Sequence, residues 1–202
     1  MNQEEIELNR RQPNETIAPN IRENYSKVME QIGESAKLVG RDPASIRLVV
    51  VTKGHPFESI LAALDAGIRI FGENYTDEAV AKILAISGEE SSQGLPQQQP
   101  RTSAGLEWHM IGHVQSRKAA LIVEHFDWLH SLDSLKLAER LNRFAGQSNR
   151  RLPVLLECNV SGEESKFGWP AWQEDHWSDL DLDIEALFDL SYLEVRGLMT
   201  MA

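Results

Sequence analysis

The seven residues Ile46 to Thr52 read IRLVVVT and run straight into Lys53, Gly54, His55 and Pro56. The run is rich in β-branched side chains and shows little alternation of apolar and polar positions. Strands buried on both faces have that composition, and parallel sheets are where they occur. Gly54, His55 and Pro56 then break the strand and open a helix that carries Phe57, Ile60, Leu61 and Leu64 on one face and stops at Gly67. The cycle repeats at once. Ile68 to Phe71 reads as a strand, Gly72 and Glu73 as a turn, and Asn74 to Ile86 as a helix.

Upstream, Ile21, Tyr25, Val28, Met29, Ile32, Ala36 and Val39 fall mostly three or four apart and end at Gly40, which predicts an amphipathic helix with a left-handed cap. Residues 1–20, with Pro13, Pro19 and several asparagines, show no periodicity and are expected to be a loose lead-in. Downstream, Ser87 to Gly105 is Gln-, Ser- and Pro-rich and reads as a surface excursion. Trp108 to Gly112, Asp127 to Leu132, Val154 to Val160 and Val195 to Met201 read as further strands. Helices are expected from about Gln115 to Glu124 and after a cap at Asp133 or Ser134, where Leu137, Ala138, Leu141 and Phe144 share a face. Between the last two strands lies an acidic, Trp-rich, partly helical segment.

Strands alternating with helices predict an α/β fold with a helix-covered parallel sheet over residues 21–202. A doubly wound open sheet and a (β/α)8 barrel both fit that order. Six strands are two short of a barrel, and the sequence stops at Met201 and Ala202, in or just after the sixth. The expectation is therefore a barrel without its last two strands.

Composition narrows the class. The chain has 202 residues, 42% hydrophobic and 25% charged, which excludes a wholly disordered chain or a collagen-like repeat. No apolar run approaches the ~18 residues of a membrane span, and the start, MNQEEIELNR, has no apolar signal region. The single cysteine, Cys158, lies in the apolar run LPVLLECNV and reads as a small core residue in a reducing compartment. A cytoplasmic monomer is expected. Thirty-one acidic against twenty basic residues give a formal charge of −11, which disfavours nucleic acid and anionic membranes as partners.

In βα folds the reactive residues sit at the C-terminal ends of strands. Those ends give Lys53, Gly72 to Tyr75, His109 to His113, Ser131 and Asn159 to Gly162. Lys53 has two readings: an amine that snorkels into solvent, or one whose partial burial lowers its pKa and leaves it able to attack an aldehyde. Gly72 to Tyr75 can set backbone N–H groups and the Asn74 amide beside a ligand, or be a tight turn with Asn74 as a helix cap. His109 and His113 are four apart, but Gly112 and the strand interrupt any shared helix face, which speaks against a metal. Ser161 to Lys166 reads equally as a solvated loop, and Trp169, Trp172 and Trp177 read as peripheral packing rather than a binding cage. No glycine-rich dinucleotide fingerprint, phosphate-binding Walker loop or Gly-x-Ser-x-Gly elbow is present.

Taken together and in order, VVVTK (Val49 to Lys53), FGENY (Phe71 to Tyr75), WHMIGHVQSRK (Trp108 to Lys118), HSLDSLKLAERLN (His130 to Asn142), NVSGEESKFG (Asn159 to Gly168) and RGLMTM (Arg196 to Met201) resemble the pyridoxal phosphate homeostasis protein family, related to the N-terminal domain of bacterial alanine racemase. The resemblance implies a (β/α)8 TIM-type barrel holding pyridoxal 5'-phosphate, a form of vitamin B6, as a Schiff base on Lys53. By position it implies Asn74 and His109 near the ring or phosphate. It further implies intracellular cofactor homeostasis without turnover, with apo pyridoxal phosphate enzymes as recipients; an amino-acid racemase-like enzyme is the alternative. Three departures stand out. Thr52 to Pro56 replaces the usual lysine-threonine-lysine-proline, the Ser87 to Gly105 loop is longer than usual, and the strands expected to supply the phosphate cradle lie beyond Ala202.

Overall fold

A computed structural model describes residues 17–87, 105–172, 174 and 177–201. The lead-in before residue 17 and nearly all of the polar excursion lie outside the described residues. The chain divides into two compact units, Met1–Phe71 and Gly72–Ala202.

In the first unit, α1 spans Ile17–Leu38, a 3-10 turn spans Pro43–Ser45, β1 is Val50–Val51 and α2 is Phe57–Asp65. Helix α1 begins four residues earlier than periodicity indicates, because Pro19 falls within the first turn, where its missing N–H is not needed. It ends as the sequence predicts: Gly40 has φ 67°, and the Arg41 and Gly40 amides donate to the carbonyls of Ala36 and Lys37. Arg22 of α1 reaches the carbonyl of Asp65 at the end of α2, at 2.9 Å. Strand β1 is only two residues, against the seven expected.

β2, Ile70–Glu73, runs across the division into the second unit, which continues with α3 (Thr76–Ser87), β3 (Glu107–Met110), a 3-10 turn (Ser116–Lys118), α4 (Ala119–His125), β4 (Trp128–Leu132), α5 (Leu135–Gln147), β5 (Leu152–Asn159), β6 (Trp169–Pro170), α6 (Trp177–Phe188) and β7 (Leu193–Met199). β3 pairs β4, β4 pairs β5 and β5 pairs β7, all parallel, with His109 opposite Trp128 and Leu152 opposite Leu193. The parallel α/β layering expected from the sequence is therefore present. Phe126, Leu129, Leu132, Leu137, Leu141 and Leu152 are fully buried and form much of this unit's core. Arg150 joins elements by donating to the carbonyls of Val123 and Phe126 at the end of α4.

Two details differ from expectation. Trp169 belongs to a short strand that the sequence pattern does not announce; it is buried and its indole N–H donates to the Leu132 carbonyl at 2.9 Å, so it is core rather than periphery. Cys158 is half-buried, a partial match to a core thiol.

Candidate functional site

In the first unit, Lys53 lies in the turn after β1. The His55 amide donates to the Thr52 carbonyl at 3.1 Å, and Gly54 takes the left-handed conformation, φ 68°, that this turn requires. Thr52 is buried, whereas Lys53 is exposed. Of the two readings of the amine, the solvent-exposed one is found and the partly buried one is not. The strand stops at Val51, which leaves the lysine on a turn rather than on the pleated end of a packed strand.

In the second unit, the strand ends form two neighbourhoods. The first is the turn after β2. Glu73 is fully buried, and its carboxylate meets Lys82 Nζ of α3 at 2.7 Å, while Glu78 meets the same amine at 2.6 Å. The Glu73 carbonyl accepts the Ile111 amide at 2.9 Å. Gly112 then passes so close to Asn74 that a Cβ on it would stand 2.4 Å from the Asn74 carbonyl oxygen. Asn74 Oδ1 is buried and has no hydrogen-bond partner among the described residues. Asn74 does not cap α3 by the simple route, since the helix begins at Thr76 with Asp77 and Glu78 in its first turn.

The second neighbourhood gathers the ends of β4 and β5 with the chain after β3. His113 Nδ1 lies 2.9 Å from Asp133 Oδ2, and its ring stacks on Phe167 with centroids 3.7 Å apart. These residues, with Gln115, Ser116, Lys166 and Gly168, line an open groove of about 360 Å³. Asn159 organises the loop beside it: its side-chain amide donates to the carbonyls of Glu163 and Lys166, and its Oδ1 accepts the Gly162 amide at 3.0 Å. Glu163, paired to Lys166 at 2.9 Å, is held below the usual carboxylate range by that lysine's hydrogen bond. Below the groove, Glu157 is buried with one oxygen lacking a partner among the described residues. Burial first, and then the Asp133 charge, raise its pKa, partly countered by His113. Sequence reading missed Glu157. The available signal was the period-two alternation of LLECNV, which sets Glu157 on the face opposite Leu156 and Cys158.

His109 lies inside β3 rather than at its end. It is buried, with Nδ1 2.9 Å from His130 Nε2, Nε2 3.3 Å from Glu107, and its ring stacked on Trp128. Among the described residues no group of three or more His, Cys, Asp or Glu is placed to hold a metal ion. No described helix is long and apolar enough to cross a membrane.

Comparison with known proteins places the chain. The family model for the alanine racemase N-terminal domain matches residues 19–202. The pyridoxal phosphate homeostasis protein of Pseudomonas aeruginosa is 40% identical over 181 residues, covering 90% of this chain and 70% of that protein. PipY of Synechococcus elongatus, solved with PLP bound, is 38% identical with a TM-score of 0.63, over 85% of this chain and 70% of that one. Alanine racemase from Streptomyces coelicolor shares the fold, with a TM-score of 0.59 at 18% identity over 91% of this chain and 42% of the racemase. The α/β fold is thus that of the racemase N-terminal barrel, and the chain belongs to the pyridoxal phosphate homeostasis protein family.

Proposed function

We propose that this chain binds pyridoxal 5'-phosphate as a Schiff base on Lys53 and serves cofactor homeostasis as a carrier and buffer, without catalytic turnover. The observation that carries the reading is the likeness to the pyridoxal phosphate homeostasis proteins and to PipY solved with PLP bound; Lys53 stands on a turn closed by the Thr52 carbonyl and Gly54. When bound, the cofactor supplies an electrophilic aldehyde carbon. Lys53 would hold the group through its amine, which would condense with that carbon to a C=N bond with loss of water. The reverse hydrolysis returns the amine, which makes the linkage a reservoir.

Asn74 offers a buried amide oxygen with no hydrogen-bond partner among the described residues, and it is a further contact we assign to the ring or phosphate; His109, whose ring nitrogens already meet His130 and Glu107, is the other contact the family resemblance implies. Apo-enzymes that use the same cofactor are the proposed recipients, and the cytoplasm the proposed compartment.

Borohydride reduction tests the linkage. Protein incubated with pyridoxal phosphate and reduced is expected to carry the pyridoxyl adduct on the peptide containing residue 53, and Lys53→Ala to lose it while unfolding at the same temperature. Label distributed over other lysines, with Lys53 bare, overturns the assignment.

A further inference from the structure

At the ends of β4 and β5, wholly within the second unit, two carboxylates stand side by side. Leu132 is opposite Leu156 in that parallel pair, so the next residues, Asp133 and Glu157, are neighbours that face the same way. Their closeness is felt electrostatically, because the Asp133 charge helps to raise the Glu157 pKa. Asp133 is provided for: His113 Nδ1 lies 2.9 Å from its Oδ2, and the Ser134 hydroxyl donates to its Oδ1 at 3.0 Å. Glu157 is not. It is 9% exposed, and its Oε2 is buried with no hydrogen-bond partner among the described residues. Buried carboxylate oxygens in folded proteins are paired, and a pair of like charges calls for a cation. Lys166 is close at hand, but its amine meets Glu163 at 2.9 Å.

The open groove of about 360 Å³ lies directly on this pair, with Asp133 and His113 in its wall, and its size suits a small molecule. Gly168, also in that wall, passes so close to β5 that a Cβ on it would stand 2.6 Å from the Glu157 carbonyl oxygen. Phe167 stacks on His113 yet is 54% exposed, a large apolar ring left facing solvent at the groove. A ligand suited to these surroundings brings positive charge, N–H donors and an apolar stem. A metal ion does not suit them, since no group of three or more ligating side chains is placed to hold one among the described residues. We propose that this groove binds a small organic primary ammonium ion, whose N–H groups are received by the Asp133 and Glu157 carboxylates and whose stem lies against Phe167. Charge-assisted hydrogen bonds to the carboxylates give the affinity, and the aromatic ring adds contact beside the cation. The site uses neither Lys53 nor the cofactor, so its failure and the failure of the carrier reading are separate results.

The test titrates n-butylammonium, tetramethylammonium and 1-butanol into cofactor-free protein at pH 8, followed by the NMR shifts of the Ser134 and Gly168 amides. Butylammonium carries charge and donors, tetramethylammonium charge alone, and butanol the same stem without charge. Butylammonium is expected to bind at least about tenfold more tightly than either, the worth of one charge-assisted hydrogen bond. Glu157→Gln and Asp133→Asn keep the side-chain shapes and are each expected to weaken it by about tenfold. Glu139→Gln, which removes the same charge from an exposed position on α5, is expected to leave it within about twofold. Asp133→Asn decides the matter if Glu157→Gln does not fold. Equal binding of butanol or tetramethylammonium, shifts confined to residues away from the groove, or losses in Glu157→Gln and Asp133→Asn no larger than in Glu139→Gln overturn the proposal.

Discussion

At the scale of single residues, the environment of Glu157 opposes its charge. It is buried beside Asp133, and desolvation with that like charge pushes its pKa up, His113 only partly opposing them. The folded state therefore holds a proton on Glu157 at pH values where the unfolded chain has released it. Between the unfolded value near 4.5 and the raised folded one, stability must fall as pH rises, and the penalty persists above that window. Glu157→Gln removes the titration while keeping the shape. The variant is expected to melt at a higher temperature than wild type at pH 8, with the gap closing as the pH is lowered to 4. A gap that stays constant with pH rejects this account. Cys158, beside Glu157, has its thiol pKa raised by burial and then by that carboxylate. It is expected to react with iodoacetamide at pH 7.5 more slowly than the same cysteine in denatured protein, and faster in Glu157→Gln than in wild type; equal rates would reject the electrostatic part.

Among elements, the join between β2 and α3 depends on ionic contact rather than apolar packing alone. Lys82 is nearly buried, Glu73 fully so, and their charged atoms lie 2.7 Å apart. Lys82→Met leaves the Glu73 charge in the interior without its partner, a change that typically costs ~3–5 kcal/mol. The solvent-exposed pair of Lys27 and Glu23 on α1 has a similar distance, 2.6 Å, yet such pairs contribute ~0–1 kcal/mol. Urea unfolding of Lys82→Met and Lys27→Met should separate the two by several-fold in lost stability, and equal losses would show that burial does not govern the pair. Neither cost was legible in the sequence, where both lysines sit on helices four residues after a glutamate. Helix positions read well because periodicity and caps such as Gly40 are local. Strand lengths read poorly: IRLVVVT announces burial, but a strand extends only where its backbone finds partners, and β1 finds them at two residues. Trp169 failed for the same reason, since β6 exists only through its register with Cys158 and Asn159. The sequence could place Lys53 after a strand and offered a solvent-exposed amine as one of two readings; the choice between them needed the turn after β1. Gly112 and Ser131 were visible as strand-end residues, while the hydrogen bond between them and the close approach of Gly112 to Asn74 required the packing of β3 and β4 to be known.

For the whole molecule, the open contrast is between holding an aldehyde and turning over an amino acid on it. Racemisation needs a proton donor and acceptor on both faces of the reacting carbon, so Lys53 requires an opposing base. The sequence has three tyrosines, Tyr25, Tyr75 and Tyr192. The Tyr192 ring packs against Gly146 of α5, where a Cβ would stand 3.0 Å from Cε2, and its backbone amide is tied to Asn142 Oδ1 at 2.9 Å. Tyr25 lies mid-helix on α1. Tyr75 is the exposed one, beside Asn74, and is the tyrosine to put to the test. Protein loaded with pyridoxal phosphate and incubated with L-alanine is expected to give no D-alanine above the free-cofactor background, and Tyr75→Phe to label at Lys53 as fully as wild type. Sustained conversion that disappears in Tyr75→Phe would instead make Tyr75 a catalytic base and the chain an enzyme. A carrier needs its one amine and a grip on the ring; a racemase needs a second base whose removal stops the reaction, and chiral analysis of alanine reads that difference directly.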